Sequence, residues 1–516
     1  MPSLIIHGHF YQPPRENPWT GIVEAEPSAA PFHDWNERIH SECYHPNAFA
    51  RIANPKTGSE LIVNNYARIS FNFGPTLLTW LARNHPDTYA RIIDADRDSG
   101  DERGSHGDAI AQAYGHAILP LCNERDRRTQ IRWGIADFRY RFGRNPEALW
   151  LPETACNDFV MAALIDEGLR FLILAPRQAA CVRTIGDTRW RDVNEQSIDT
   201  SIAYRYSHPD GSGRMIAVFF YDGLLSRAIA FENLLKSSQD LVARLAQSAR
   251  GAGELVNVAT DGETYGHHFK FGDICLAHAL EVDATQRGFK ITNYGEYLDQ
   301  NPPAFEVRIN NGADGEGTSW SCPHGTGRWI RDCGCHTGGE AAWNQAWRTP
   351  LRRALDFLRD ENARHFEATR EKLFIDPWKA RDDSIELILD QYNSREQFLY
   401  EHADGRVSAE EQWRALAFLE VQRMALLMYT SCGWFFNDIS GIETIQVLKY
   451  ACRAIDLMEQ LGLPPACDHF LEILAEARSN KPEMGNGADI YRRFVEPLRP
   501  GYGTARSSER VAEARA

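Results

Sequence analysis

Over roughly the first 300 residues, short apolar runs alternate with stretches of helical periodicity. Leu4, Ile5 and Ile6 open the chain as a buried strand ending at His7. Residues 148–151 form another, entered through Pro146 and closed by Pro152. Asn157 or Asp158 then caps a helix through Phe159, Ala163 and Leu164, which Gly168 stops. Residues 171–174, 215–221 and 255–258 read as further strands, and a long helical stretch is expected over 226–249. Repeated β–α alternation of this kind predicts a parallel sheet, either an open wound sheet or a barrel. Glu153, Asp222 and Asp261 all fall at or just past the C-terminal end of an expected strand, the face on which barrels carry their chemistry.

The texture then changes twice. Between 301 and 340 glycines crowd the chain, Gly312, Gly315, Gly317, Gly325, Gly327, Gly334, Gly338 and Gly339 among them, which predicts a long loop and a possible lid. Trp320 and Trp329 within it argue against disorder. From 341 to 499 the pattern is helical: Ala354, Leu355 and Leu358 share a face, as do Ala415, Phe418, Leu419 and Leu426, and a longer helix is expected over 442–461. The tail, 500–516, is small and polar and is expected to fray. These breaks divide the chain into a catalytic barrel over 1–300, the loop, the helical domain and the tail.

Charge narrows the partners. With 56 basic against 71 acidic residues the net charge is −15, which argues against nucleic acid or an anionic membrane and leaves a neutral polymer open. The first ten residues lack the basic and apolar regions of a signal peptide, and no apolar run is long enough to span a bilayer. Eleven scattered cysteines suit a reducing, cytoplasmic location.

Three segments carry candidate chemistry: His7-Gly8-His9-Phe10-Tyr11-Gln12-Pro13, Trp150-Leu151-Pro152-Glu153-Thr154-Ala155 and Thr260-Asp261-Gly262-Glu263-Thr264-Tyr265-Gly266. Cleaving a glycosidic bond needs two carboxyl groups, and Glu153 and Asp261 could meet across a barrel mouth. The ordered set resembles glycoside hydrolase family 57. The resemblance rests on His9 with Gln12-Pro13, on His116 in Tyr114-Gly115-His116-Ala117-Ile118-Leu119-Pro120, on Glu153 and on Asp261, with Tyr429-Thr430-Ser431-Cys432-Gly433-Trp434-Phe435-Phe436 similar to a fifth region. It departs from the family pattern at Tyr11, where a second histidine would stand; the ring still hydrogen-bonds but no longer titrates near neutrality.

That resemblance implies an α/β fold, an incomplete (β/α)7 barrel followed by an α-helical C-terminal domain. It also implies a retaining mechanism on α-glucans such as starch, glycogen or maltooligosaccharides, with Glu153 as nucleophile, Asp261 as acid/base and no cofactor. His7, His9, His116, Trp150, Asp222 and Trp434 are the expected substrate-binding residues. All but His9 have a plainer reading: a satisfied core histidine for His7 and His116, a helix N-terminal partner for Asp222, core packing for the tryptophans, Trp19, Trp35 and Trp320 included. Glu263 is expected to hold its turn, and His267 and His268 have no clear task.

Two other classes stay open from the residues. One is a metal-dependent deacetylase or mannosidase with His7, His9, His116 and Asp261 as ligands; the other is a non-catalytic glucan-binding protein. Cys322 and His324 with Cys333, Cys335 and His336 offer zinc-ligand types, but their spacing lacks the usual two-residue gaps between cysteines. The expectation is a reduced, partly buried loop with no metal.

Overall fold

The computed structural model describes residues 1–501 apart from 54–56, 250, 252, 371, 391–394 and 404–406. The expected frayed tail therefore lies almost wholly outside the described residues. Seven strands run parallel around the first half: β1 (Ser3–Phe10), β2 (Ser70–Phe73), β3 (Ala111–Gln112), β4 (Leu149–Trp150), β5 (Phe171–Leu174), β6 (Met215–Phe220) and β7 (Leu255–Asp261). Strand β1 lies between β7 and β2, pairing Ser3 through His9 with Leu255 through Asp261 and His7 through Phe10 with Ser70 through Phe73. Single bridges carry the ring onward, Phe71 to Ala109 and Ala148 to Phe171, while β3 pairs β4 and β5 pairs β6.

Closure fails between β6 and β7. The free edge of β6 is taken by an antiparallel strand, Ala203–Ser207, which leads into a side sheet with Phe305–Ile309, Ala179–Thr184 and Arg191–Asp192. The end of β6 touches β7 without pairing along it: the Asp222 amide donates to the Asn257 carbonyl at 2.8 Å, and the Asn257 side-chain amide donates to the Phe220 carbonyl at 3.3 Å. The barrel is therefore incomplete, followed by an α-helical C-terminal region.

Several expected boundaries move. Strand β1 continues beyond His7 to Phe10, every residue of it buried, as a strand covered on both faces must be. The helix expected over 226–249 is two, Gly223–Phe231 and Ser238–Ser248, because Asn233 takes a left-handed φ of 60° and Ser237 caps a fresh start. The segment expected to be loop from 301 contains the strand Phe305–Ile309, and the irregular stretch begins only after Ile309. The helix α1 (Asp158–Asp166) begins as expected, with the Asn157 side chain accepting from the Val160 amide.

Beyond the loop, α2 (Arg348–Glu367), α3 (Ala409–Leu427) and α4 (Ile442–Gln460) form the frame of the helical region. Their apolar cluster takes in Tyr114, Ala117, Ile118, Trp133 and Ala155 from the barrel side. The helices thus pack over the rim on which the candidate carboxylates stand.

Candidate active site

Glu153 stands two residues past Leu151, just beyond β4, and both it and Thr154 have positive φ, 59° and 50°. A β-branched residue in the left-handed region is strained by about 1–3 kcal/mol and persists only when its surroundings fix it. Gln178 does so here. Its carbonyl oxygen accepts from Thr154 Oγ1 at 2.9 Å, and its amide nitrogen donates to the Thr154 carbonyl at 2.8 Å. The Trp320 amide donates to the Glu153 carbonyl at 2.9 Å, tying the irregular loop to the turn. The same loop grips the side chain: Glu153 Oε2 accepts from Ser321 Oγ at 2.6 Å and from the Trp320 indole at 3.0 Å. Burial raises this carboxyl above its ordinary value, while those two hydrogen bonds and the positive charge of Arg328 oppose the rise.

Asp261 is the exposed last residue of β7, in register with His9 on β1. Water reaches it from one side while protein crowds the others. That crowding pushes its carboxyl up to about 7, and the charge of Glu153 adds to the shift. No protein group hydrogen-bonds its carboxyl among the described residues. Behind it, Glu263 is buried, accepts from the Tyr11 amide at 3.1 Å and from Tyr44 Oη at 2.6 Å, and is pushed up to about 8 by burial. Its carboxyl ties the turn to the chain past β1 and to Tyr44, and it is also a third carboxyl, in the field of Asp261.

The histidines form one relay. His7 Nδ1 meets Ser70 Oγ at 3.0 Å and His7 Nε2 donates to Asn72 Oδ1 at 3.1 Å. The Asn72 amide donates to His9 Nδ1 at 2.9 Å and to Gln112 at 2.8 Å. His9 Nδ1 is therefore an acceptor, and the neutral ring carries its proton on Nε2, 3.3 Å from His116 Nε2. His116 in turn donates from Nδ1 to Ser431 Oγ at 2.7 Å. Burial holds the first two rings neutral, with pKa values pushed down to about 3, and lowers His116 as well.

Four expected substrate-binding residues have other tasks. His7 is fully buried with both nitrogens bonded to protein, so it orients Asn72 and stays out of the cleft. Trp150 is 1% exposed, stacked between His7 (4.7 Å) and His9 (5.0 Å). Asp222 caps a helix by accepting from the Leu225 amide at 2.9 Å. Trp434 is buried, its indole donating to the Arg348 carbonyl at 3.3 Å. The 429–436 segment reaches the site through Ser431 instead, and Ala117 pairs with Thr430 beside it. Tyr11, at the position of the departure, stacks on His116 at 3.7 Å, and its buried hydroxyl has no hydrogen-bond partner among the described residues.

The sequence patterns single out neither Gln178, Ser321, Ser431 nor Asn72. Nor do His7, His9, His116 and Asp261 converge as a ligand set among the described residues: the first three are spent on each other, Asn72 and serines.

A broken parallel barrel with two carboxyl groups at its C-terminal rim is the architecture of a barrel glycosidase. The chain belongs to glycosyl hydrolase family 57, whose model matches residues 38–309, and residues 343–504 match a domain of unknown function, DUF3536. An exo-type maltose-forming amylase from Pyrococcus sp. ST04 shares the fold with a TM-score of 0.68 at 16% identity, over 96% of this chain and 92% of that one. A family 57 branching enzyme from Pyrococcus horikoshii aligns with a TM-score of 0.53 at 14% identity, over 96% of each chain. Alpha-amylase 1 of Dictyoglomus thermophilum is 25% identical over 107 residues, which is 20% of this chain and 15% of that relative's length.

Proposed function

We propose that this protein is a retaining glycosidase or transglycosidase acting on α-linked glucans, with Glu153 as nucleophile and Asp261 as acid/base. One observation carries the reading: burial raises both rim carboxyl groups, but only one of them is given hydrogen bonds that oppose the rise. Glu153 receives two hydrogen bonds that favour its anion, whereas Asp261 receives none and is pushed up to about 7. Pairs whose surroundings separate their affinities for protons take the attacking and the proton-donating roles. Glu153 attacks the anomeric carbon as Asp261 gives its proton to the leaving oxygen; Asp261 then takes a proton from water or an acceptor hydroxyl as the glycosyl-enzyme is resolved. The α-glucan class is supported by family membership and by the amylase and branching enzyme among the similar structures.

A screen of α-glucans with anomeric analysis of products tests this. Glu153→Gln should be inactive on every substrate. Asp261→Asn should fall about 10²–10⁴-fold on poor leaving groups yet still form the glycosyl-enzyme from an activated glycoside, with azide restoring turnover at retained configuration. Product of inverted configuration, or equal loss in both variants with no trapped intermediate, would remove the assignment.

A further inference from the structure

The irregular loop brings together side chains that the proposed reaction does not use. Cys322, His324, Cys333 and Cys335 each present one ligand atom, and all four atoms lie within 4.8 Å of one another. Cys322 Sγ is 3.8 Å from Cys333 Sγ and 3.6 Å from Cys335 Sγ, and Cys335 Sγ is 3.5 Å from His324 Nδ1. A tetrahedral zinc with Zn–S of about 2.3 Å and Zn–N of about 2.0–2.1 Å has S···S edges near roughly 3.8 Å and S···N edges near roughly 3.5 Å. The sulfurs are far beyond the roughly 2.05 Å of a disulfide, and all three cysteines are free. His336 is not part of the set; its Nδ1 bonds to the Gly338 carbonyl.

The local chain explains the convergence despite the unusual spacing. Gly334, at φ 81°, turns the backbone between Cys333 and Cys335 so that both thiols face one way. Gly327 allows close approach, since a Cβ there would sit 3.0 Å from that of Cys333. A second observation concerns charge. Arg348 is fully buried, donates to the carbonyls of Cys335, Phe436 and Phe435, and leaves Nε unpaired. Arg328 is also buried with an unpaired Nε, its guanidinium stacked on Phe435. Neither hydrogen-bonds a carboxylate among the described residues, although Arg328 lies in the field of Glu153 and Arg348 in that of Asp332. A buried cation without a directly paired anion is costly, and three thiolates, one neutral imidazole and Zn²⁺ sum to one negative charge beside them.

We propose that Cys322, His324, Cys333 and Cys335 form a closed structural zinc site, in place of the metal-free loop expected from the spacing. With four protein ligands no position is left for substrate, so the ion holds the fold and takes no part in chemistry. Its place in the chain gives it a target. Trp320 and Ser321, which bond the Glu153 carboxylate, directly precede Cys322, so the ion fixes the segment that grips that carboxylate. Only this last link rests on the proposed function. Binding releases the thiol protons, so affinity falls in acid.

The full chain, purified without chelator or immobilised metal, should hold about one zinc per molecule by mass spectrometry of the elements. Zinc-edge X-ray absorption should show three sulfurs near about 2.3 Å and one nitrogen near about 2.0 Å. Cys335→Ser should lower zinc content at least tenfold, His324→Cys should retain zinc with a four-sulfur shell, and Cys467→Ser should leave it unchanged. Glu153→Gln should also retain zinc, which separates this site from the catalytic reading. Less than a tenth of an equivalent after zinc addition under reducing conditions, an oxygen and nitrogen shell, or a disulfide among the three cysteines overturns the proposal. Should Cys335→Ser fail to fold, the absorption spectrum of the unaltered protein decides alone.

Discussion

The left-handed turn at Glu153 and Thr154 sets a carboxylate at the barrel rim at the cost of backbone strain, and the loop offsets the strain with hydrogen bonds to that same carboxylate. On the proposed roles, Ser321→Ala should act on Glu153 without touching Asp261. Losing a hydrogen bond to a charged group costs about 1.5–3 kcal/mol, so kcat/KM is expected to drop ~10-fold or more. Because the lost bond favoured the anion, the acidic limb of the pH profile should move to higher pH, while the alkaline limb near 7, set by loss of the proton from Asp261, should stay. Both limbs moving together would mean that Ser321 acts on the pair as a unit. Glu263 gives a second pH signature, in stability. Its folded pKa of about 8 lies above the ordinary 4.5, so the folded state binds more protons across that window, and stability falls as pH rises through it. Glu263→Gln can keep both hydrogen bonds at one oxygen and lacks the titration. Its melting temperature relative to the unaltered protein should climb by several degrees from pH 5 to pH 8, then level off; a constant difference would refute the assignment.

At the scale of elements, five of the seven parallel strands and the carboxylates at Glu153, Asp222 and Asp261 are legible in the sequence as apolar runs ending in polar turns, whereas β2 and β3, four and two residues long and holding Ser70, Asn72 and Gln112, show no such run. Which polar residues those strands bury is not legible. In β1 every residue is covered, so period-two alternation vanishes and His7 and His9 look alike, although only His9 lies beside His116 and the cleft. Nor can spacing reveal partners brought from afar: Gln178 reaches Thr154 across 24 residues, Ser321 reaches Glu153 across 168, and Ser431 reaches His116 across 315. The motif around Trp434 draws that residue toward the site, yet it is Ser431, three residues earlier, that faces it. Two substitutions separate these roles. Trp434→Ala should cost about 3–5 kcal/mol of stability, as for a large buried side chain, with kcat of the folded fraction unchanged at permissive temperature. Ser431→Ala should leave the melting temperature within a few degrees but weaken substrate binding, because His116 loses the acceptor that fixes its tautomer and ring orientation. Reversal of the two outcomes would restore the tryptophan to the cleft.

For the whole molecule, the two matched regions suggest two units, but their boundary is crossed by core and by buried polar contacts. Residues of the barrel side belong to the apolar cluster of the helices. Arg381, 1% exposed, meets Asp126 at 2.6 Å; the Trp133 indole donates to the Asp382 carbonyl at 2.8 Å; the Trp19 indole reaches Asp456 at 3.0 Å; and Gln446 donates to the Glu16 carbonyl at 2.9 Å. Separating the regions would expose that cluster and strand a buried guanidinium, and breaking one buried ion pair alone costs about 3–5 kcal/mol. The site would also come apart, since His116 and its neighbour Ala117 depend on Ser431 and Thr430 from the helical side. Chains of this length commonly unfold in steps; here the shared core predicts one calorimetric transition at which activity and helicity are lost together. Asp126→Ala, which takes the carboxylate away from the buried Arg381, should lower that transition as a whole without splitting it. A fragment ending at residue 342 should be insoluble or inactive for the same reason. Two transitions in the unaltered protein, with the rim histidines released in one and the barrel melting in the other, would show instead that the helical region is a cover added to an independent barrel.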